Sequence, residues 1–254
     1  ERLAAFMRKE ACVLFSTGYM TNQGLLQSVA QRGDVIFSDK DNHACILAGQ
    51  QVSAAETVRY RHNDLDHLRT FLQRTSDERP EAGKLIVTDG VFSMDGTLAD
   101  LPSICELADK HDALVMADDS HAVGFMGERG RGTHEHHDVL DRIDIITGTL
   151  GKALGGASGG YTSGRAEIIS CLRQRSRPYL FSNSVAPSIV AASIAALDLL
   201  EESTKLRDRL ERNVRHFRQR MTVSGFAIIE GEHAIVPIML GDAGLASRFA
   251  DTML

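Results

Sequence analysis

Short apolar runs that stop at ionisable or glycine-rich turns, with amphipathic stretches between them, constrain this chain more than any other feature. Residues 84–88 and 113–117 read as strands, and the segment 101–111 between them carries Ile104, Leu107 and Ala108 at helical spacing, with Pro102 in its first turn. A strand, a helix and a strand in that order predict a parallel unit of an α/β sheet. The second strand ends in Asp118, Asp119, Ser120 and His121. A third run, Ile143, Ile145 and Ile146, ends in TGTLGKALGGASGG, residues 147–160, which carries Lys152. Ligands of open α/β sheets collect at the carboxyl ends of the strands, so parallel neighbours would set Asp118, His121 and Lys152 around one crevice. A lysine held there away from bulk water loses its proton more easily than a free one of pKa ~10.4, and a neutral amine can form a Schiff base.

The same residues admit other readings. Lys152 could be a solvated loop lysine, Asp119 a helix cap, Asp118 the partner of an arginine and His121 a satisfied core histidine. A metal site built from Asp118, Asp119 and His121 is a functional rival. A phosphate-binding P-loop is excluded, since Gly148 lies only three residues before Gly151 and Ala153 follows the lysine. No Gly-x-Gly-x-x-Gly can be laid on the glycines of the turn either. The stretch THEHHD, residues 133–138, offers His134, His136, His137 and Asp138 at a spacing similar to zinc hydrolases. It follows a glycine and arginine loop, and a mobile surface loop is expected there.

Earlier in the chain, Leu3, Phe6 and Met7 have helical spacing and residues 13–15 form a short apolar run. Ser16, Thr17, Gly18 and Tyr19 then lead into a helix with Leu25, Leu26 and Val29 on one face. The amides of Gly18 and Tyr19 lie at its N-terminus, which is either an anion site or an ordinary capped turn. Residues 35–37 and 57–60 read as strands, and His43 sits in the polar turn SDKDNHA, residues 38–44. A helix carries Leu65, Leu68, Phe71 and Leu72, and DGVFSMDG, residues 89–96, brings Ser93 toward the same sheet edge, although Asp and Gly there could be turn formers. Beyond the glycine-rich turn come a strand at 161–162, a helix over 167–173, alternating Arg173, Arg175 and Arg177, a long helix from Pro187 to about 201, and another over 206–221. Residues 226–229 and 234–240 are expected to be strands, with a domain boundary near 200.

With 254 residues, 43% of them hydrophobic, the chain can bury a large core, and its net charge of −6 provides no electrostatic footprint for nucleic acid or anionic membrane. The most apolar segment, residues 185–200, is broken by Pro187 and Asp198 and is too short to span a bilayer. Cys12, Cys45, Cys105 and Cys171 lie far apart, which suits a reducing compartment, read here as the cytoplasm. The chain starts at Glu1, and residues 245–254 look like a helix still under way, so an excerpt of a longer protein is expected.

Taken together, SDKDNHA, DGVFSMDG, DDSHAVG, RGRGTHE, DIITGTLGKALGGASGGY and RPYLFSNS resemble the α-oxoamine synthases, a pyridoxal-phosphate-dependent family, from about residue 1 to 240. The resemblance implies a fold-type I transferase: an α/β large domain with a mostly parallel sheet over residues 1–200, truncated at its start, and the beginning of a smaller α+β domain over 201–254. It implies that Lys152 is the Schiff-base lysine, that Asp118 faces the pyridine nitrogen of pyridoxal 5'-phosphate, and that His121 bonds the phenolic oxygen with Ser93 close by. His43 would stack on the ring, with Asp118, His121 and Lys152 completing the catalytic set. Gly18, Tyr19 and Thr149 match phosphate ligands, and Ser182 with Asn183 matches a phosphate contact lent by a second subunit, hence a homodimer with shared active sites.

The implied reaction is a Claisen-type condensation of glycine with acetyl-CoA. STGYMTNQG and YRHNDLDHLRTFL resemble equally the members that take serine and a long-chain acyl-CoA, which stay open as an alternative. The family's arginine for the substrate carboxylate is expected beyond residue 254. A metal-dependent hydrolase and a non-catalytic scaffold of the same fold are the readings of other classes.

Overall fold

The computed structural model describes residues 1–155 and 157–253, which form two compact units: residues 1–92 with 98–203, and residues 93–97 with 204–254. In chain order the first unit contains α1 (Arg2–Met7), β1 (Ala11–Phe15), α2 (Gly18–Val29), β2 (Val35–Asp39), α3 (Ala44–Val52), β3 (Glu56–Tyr60), α4 (Leu65–Glu78) and β4 (Lys84–Asp89). It continues with α5 (Leu101–His111), β5 (Leu114–Asp118), α6 (Thr133–His136), β6 (Ile145–Thr149), β7 (Gly160–Gly164), α7 (Ala166–Arg175), α8 (Arg177–Leu180) and α9 (Pro187–Glu202). The second unit holds α10 (Lys205–Val223), β8 (Ala227–Ile228), β9 (Ile238–Met239) and α11 (Ala243–Met253).

The strands of the first unit form one sheet in the order β1-β7-β6-β5-β4-β2-β3. Strands β3, β2, β4, β5 and β6 run parallel, and β7 runs antiparallel to both β6 and β1. This is a mostly parallel α/β sheet. The inner strands β2, β4, β5 and β6 are buried on both faces, as strands covered by helices on either side are. The two-residue period divides them between two cores: Val35, Phe37, Ile86, Val115, Ala117 and Ile146 join one, and Ile36, Leu85, Val87, Met116 and Ile145 the other.

Local signals set the helix ends. Thr17 accepts from the Met20 amide at 3.1 Å to cap α2, Asp64 accepts from His67 at 2.8 Å to cap α4, and Asp100 accepts from Ser103 at 3.2 Å to cap α5. Left-handed Asp112 ends α5. In this way Asp89, Asp118 and Thr149 each finish a strand at one edge of the sheet, and Asp89 is the register partner of Asp118.

The expected strands at 226–229 and 234–240 shrink to two residues each. Arg218 donates from its guanidinium to the carbonyls of Ile229, His233 and Ile235, bonding that a strand ladder would otherwise supply, and Pro237 has no amide to give. The expected surface loop at 133–138 is also corrected. Residues 133–136 form α6, and Thr133 and His134 are fully buried. Asp119 accepts from the Thr133 amide at 2.9 Å, from its hydroxyl at 2.5 Å and pairs with His134 Nδ1 at 3.0 Å. Glu135 accepts from the amides of Arg129 and Arg131 and pairs with the Arg131 guanidinium, whose Nε reaches the Phe6 carbonyl at 2.6 Å. These bonds pin the glycine and arginine loop down.

Candidate active site

A cleft of about 140 Å³ opens at the carboxyl edge of the first unit's sheet, lined by Gly18, Tyr19, His43, Cys45, Asp89, Asp118, Ser120, His121, Thr149 and Lys152. Seven sequence-predicted residues therefore meet in one place: Gly18, Tyr19, His43, Asp118, His121, Thr149 and Lys152. Five of them come from element ends. Asp118 closes β5, Thr149 closes β6, Gly18 and Tyr19 open α2, and His43 is the residue before α3.

Asp118 is 3% exposed, and its charge is supported by built-in donors. Asn22 Nδ2 reaches Oδ2 at 2.6 Å, Thr147 Oγ1 reaches the same oxygen at 2.9 Å, and the Ser120 amide reaches Oδ1 at 2.9 Å. Burial alone would raise the pKa of this carboxyl. The hydrogen bonds from Ser120, Asn22 and Thr147 outweigh burial and hold it below the ordinary carboxylate range. Asp118 is a buried, ionised carboxylate.

Across the cleft the His43 and His121 ring centroids stand 6.3 Å apart. The Cys45 amide donates to His43 Nδ1 at 3.2 Å, so that nitrogen is an acceptor and the neutral ring carries its proton on Nε2. Cys45 Sγ lies 2.8 Å from the same nitrogen and accepts from Asn22 Nδ2 at 3.0 Å. Burial, with the charge of Asp118, pushes the Cys45 thiol up to about 12. It stays protonated, a small bridge between the histidine and the amide that serves Asp118.

Thr149 stands opposite the start of α2: a Cβ on Gly18 would lie 3.2 Å from the Thr149 Cβ, and one on Gly160 would come within 2.7 Å of the Gly18 Cα. The N-terminus of a twelve-residue helix thus faces the cleft through a gap that only glycines permit. Its partial positive charge suits an anion such as a phosphate. The Thr149 hydroxyl accepts from the Gly151 amide at 3.1 Å and donates to the Gly159 carbonyl at 3.1 Å, which shapes the turn carrying Lys152.

Lys152 itself departs from expectation, being exposed rather than sheltered. Its neighbours Ala153, Gly155, Ala157 and Ser158 are exposed too, and side chains this small cannot cover an ammonium. Ser93 belongs to residues 93–97 of the second unit, whereas the cleft residues all belong to the first. Ser182 and Asn183 lie elsewhere in the first unit, between α8 and α9. There Ser16 Oγ donates to the Asn183 carbonyl and lies 3.4 Å from Ser182 Oγ, and these residues line a separate depression with Phe15 and Tyr179.

Asp89, Asn22, Cys45 and Ser120 escaped the sequence reading. Asp89 is 2% exposed, and its Oδ2 accepts from the His43 amide at 2.6 Å. Its other oxygen, Oδ1, has no hydrogen-bond partner, nor does Asn22 Oδ1. Burial, and behind it the charge of Asp118, push the Asp89 carboxyl well above the ordinary range. A signal existed, since two adjacent strands both end in aspartate. The metal rival finds no support in the geometry: among the described residues no group of three or more His, Cys, Asp or Glu could hold an ion, and His134 is committed to Asp119.

A buried carboxylate, an exposed lysine, two imidazoles and a helix N-terminus around one cleft form a donor set for an anionic ring compound carrying a basic nitrogen. The orphaned Asp89 oxygen and the glycine gap at Gly18 fit such a ligand. The sheet is that of the fold-type I transferases. The chain belongs to the aminotransferase class I and II family, whose sequence profile matches residues 1–254.

Among curated relatives, 2-amino-3-ketobutyrate coenzyme A ligase of Escherichia coli (strain K12) is 55% identical over 98% of this chain and 63% of its own length. The 8-amino-7-oxononanoate synthase 1 of Bacillus subtilis (strain 168) is 42% identical over 100% of this chain and 64% of its own length. Among solved structures, serine palmitoyltransferase from S. paucimobilis with bound PLP-myriocin aldimine has a TM-score of 0.92 at 35% identity, over 97% of this chain and 63% of that one. The chain spans about 63% of the length of the ligase it matches. Among the described residues no helix is long and apolar enough to cross a membrane.

Proposed function

We propose that the protein condenses glycine with acetyl-CoA to give 2-amino-3-ketobutyrate and CoA, with pyridoxal 5'-phosphate as cofactor, and that it can run in reverse in threonine breakdown. The observation that carries this reading is the buried, ionised Asp118 in a cleft that also holds Lys152. Similarity to the ligases supports the choice of substrates. The bound cofactor supplies a protonated pyridine ring that draws electrons from the carbon being deprotonated.

The chain's residues then have distinct tasks. The Asp118 carboxylate would face the pyridine nitrogen and keep it protonated, because an anion beside a basic nitrogen favours its charged form. Lys152 Nζ would hold the cofactor at its aldehyde group and, released from it by the amine of glycine, would take the Cα proton as general base. His43 would pack against the ring, and His121 would bond its phenolic oxygen. The amides of Gly18 and Tyr19 and the Thr149 hydroxyl hold the phosphate, aided by the dipole of α2. In the overall balance a bond forms between the glycine Cα and the acetyl carbon, the thioester C–S bond breaks, and CoA leaves as the thiol.

Ser182 and Asn183 are assigned to the cleft of a second copy, which makes the enzyme a homodimer with shared sites. The large domain is taken to end near residue 200 and the smaller to begin there. The four unpaired cysteines support a reducing compartment, here the cytoplasm.

The test is a visible spectrum of the protein reconstituted with pyridoxal phosphate. A band that borohydride bleaches, that changes with glycine and is followed by thiol release from acetyl-CoA, is expected. Lys152→Ala should remove both the bleachable band and the turnover, and normal turnover in that variant would sink the mechanism. The likeness to serine palmitoyltransferase and the oxononanoate synthase favours one second reading, another acyl-CoA and amino acid on the same machinery. It predicts that the band responds to serine, or to another small amino acid, and a longer acyl-CoA instead.

A further inference from the structure

The two cleft aspartates are treated very differently by the fold. Asp89 and Asp118 end adjacent parallel strands as register partners, and both are almost fully buried. Two carboxylates this close in low dielectric do not both ionise readily. Donors decide between them. Asp118 receives Asn22, Thr147 and the Ser120 amide, whereas Asp89 receives the His43 amide on Oδ2 and nothing on Oδ1. The negative charge therefore sits on Asp118. Other groups facing this region are Asp39 at the end of β2, which disfavours ionising Asp89, Lys152, which favours it, and the two cleft histidines, His43 and His121.

We propose that Asp89 presents Oδ1–H as a neutral hydrogen-bond donor to an acceptor atom of the phosphopyridoxyl ligand in the cleft. This assignment rests on the cofactor reading above and adds a contact residue to it. A neutral donor satisfies the orphaned oxygen once the cleft is filled, and it leaves Asp118 as the single anion beside the ring nitrogen. The direction of the Asp89 shift agrees with this division. A second ionised carboxylate would repel an anionic ligand, and a protonated one does not.

The experiment compares pyridoxal phosphate affinity in the wild type, Asp89→Asn and Asp89→Ala. Asparagine keeps an oxygen for the His43 amide and turns an NH₂ donor toward the cleft, with no charge at any pH. Asp89→Asn should stay within about threefold of wild type, while Asp89→Ala weakens binding by about tenfold or more, the size expected for a lost buried donor. Independently, the infrared C=O absorption of a protonated carboxyl should be present in the cofactor-free wild type at neutral pH and missing in Asp89→Asn. Asp89→Asn binding as weakly as Asp89→Ala, with a melting temperature no lower than that of wild type, overturns the donor role and leaves the cofactor reading standing. An infrared spectrum showing Asp89 ionised overturns it as well. A wild type that binds no pyridoxal phosphate overturns the cofactor reading and this assignment together.

Discussion

Asp118 and Asp89 are one strand apart, and folding shifts them in opposite directions, so their linkage to stability carries opposite signs. The Asp118 carboxyl is lowered. Its stabilisation is present above the ordinary carboxylate range, about pH 4, and is lost as the pH falls through the lower folded value. The Asp89 carboxyl is raised. From about pH 4 upward the unfolded chain has released a proton that the folded chain still holds, so this group makes stability fall as the pH rises toward its folded value. Asp89→Asn in the cofactor-free protein should therefore raise the melting temperature at pH 7 to 8, and the gain should vanish near pH 4, where both side chains are neutral. Calorimetry across that range checks it, and a variant less stable than wild type at every pH would refute the raised titration. Asp118→Asn should do the reverse, costing about 1–3 kcal/mol at neutral pH because three donors lose their charged acceptor, and losing that penalty in acid. Sequence reading found Asp118 because it closes a strongly apolar strand. Asp89 read equally well as a turn former, and Asn22 and Cys45 reach the site from helices packed across the sheet, a neighbourhood that no local pattern announces.

Among elements, the parallel strands and long helices were legible because their cues are local: β-branched runs, Asp or Thr caps, and apolar residues at helical spacing. Helix α3 was less so, because its buried residues Cys45, Ile46, Gly49 and Gln50 make no strong apolar stripe. Its placement depends on a close approach instead. A Cβ on Gly49 would stand 2.6 Å from the Asn22 carbonyl oxygen and 2.9 Å from Leu26 Cδ1, so glycine lets α3 lie directly on α2. That contact sets His43, the residue before α3, and Cys45 beside Asn22 and hence beside Asp118. Gly49→Ala should cost about 1–3 kcal/mol, the usual penalty for overpacking against backbone that cannot yield. It should also weaken pyridoxal phosphate binding, through the displaced His43. A melt and a cofactor titration measure the two effects, and an unchanged melting temperature would mean that α3 has room the structure does not show. Helix α6 teaches the complementary lesson. THEHHD reads as loop from composition alone, and the contacts of distant Asp119, with those of Glu135 to Arg129 and Arg131, make it an ordered turn of helix.

For the whole molecule, the ordered motifs carried more than any periodicity did, since chemistry at several strand ends is spread along the chain and meets only through the sheet order. The assignment of Ser182 and Asn183 belongs to this scale. In one chain they lie beside Ser16, while other residues line the Lys152 cleft, so a phosphate contact from them calls for a second copy. Introducing negative charge there provides the test: Ser182→Asp with Asn183→Asp places two carboxylates where the proposal puts a phosphate. That double variant should bind pyridoxal phosphate weakly, and Lys152→Ala should have no borohydride-reducible site. Hybrids refolded from the two should regain one tight, reducible site per dimer, because the subunit that keeps Lys152 meets native Ser182 and Asn183 from its partner. Counting tritium fixed per dimer after borotritide reduction gives the answer. Hybrids no tighter than the double variant alone, or a protein that sediments as a monomer, would mean that each chain builds its phosphate site from its own residues. The dipole of α2 and Thr149 would then have to hold the anion without help from Ser182 and Asn183.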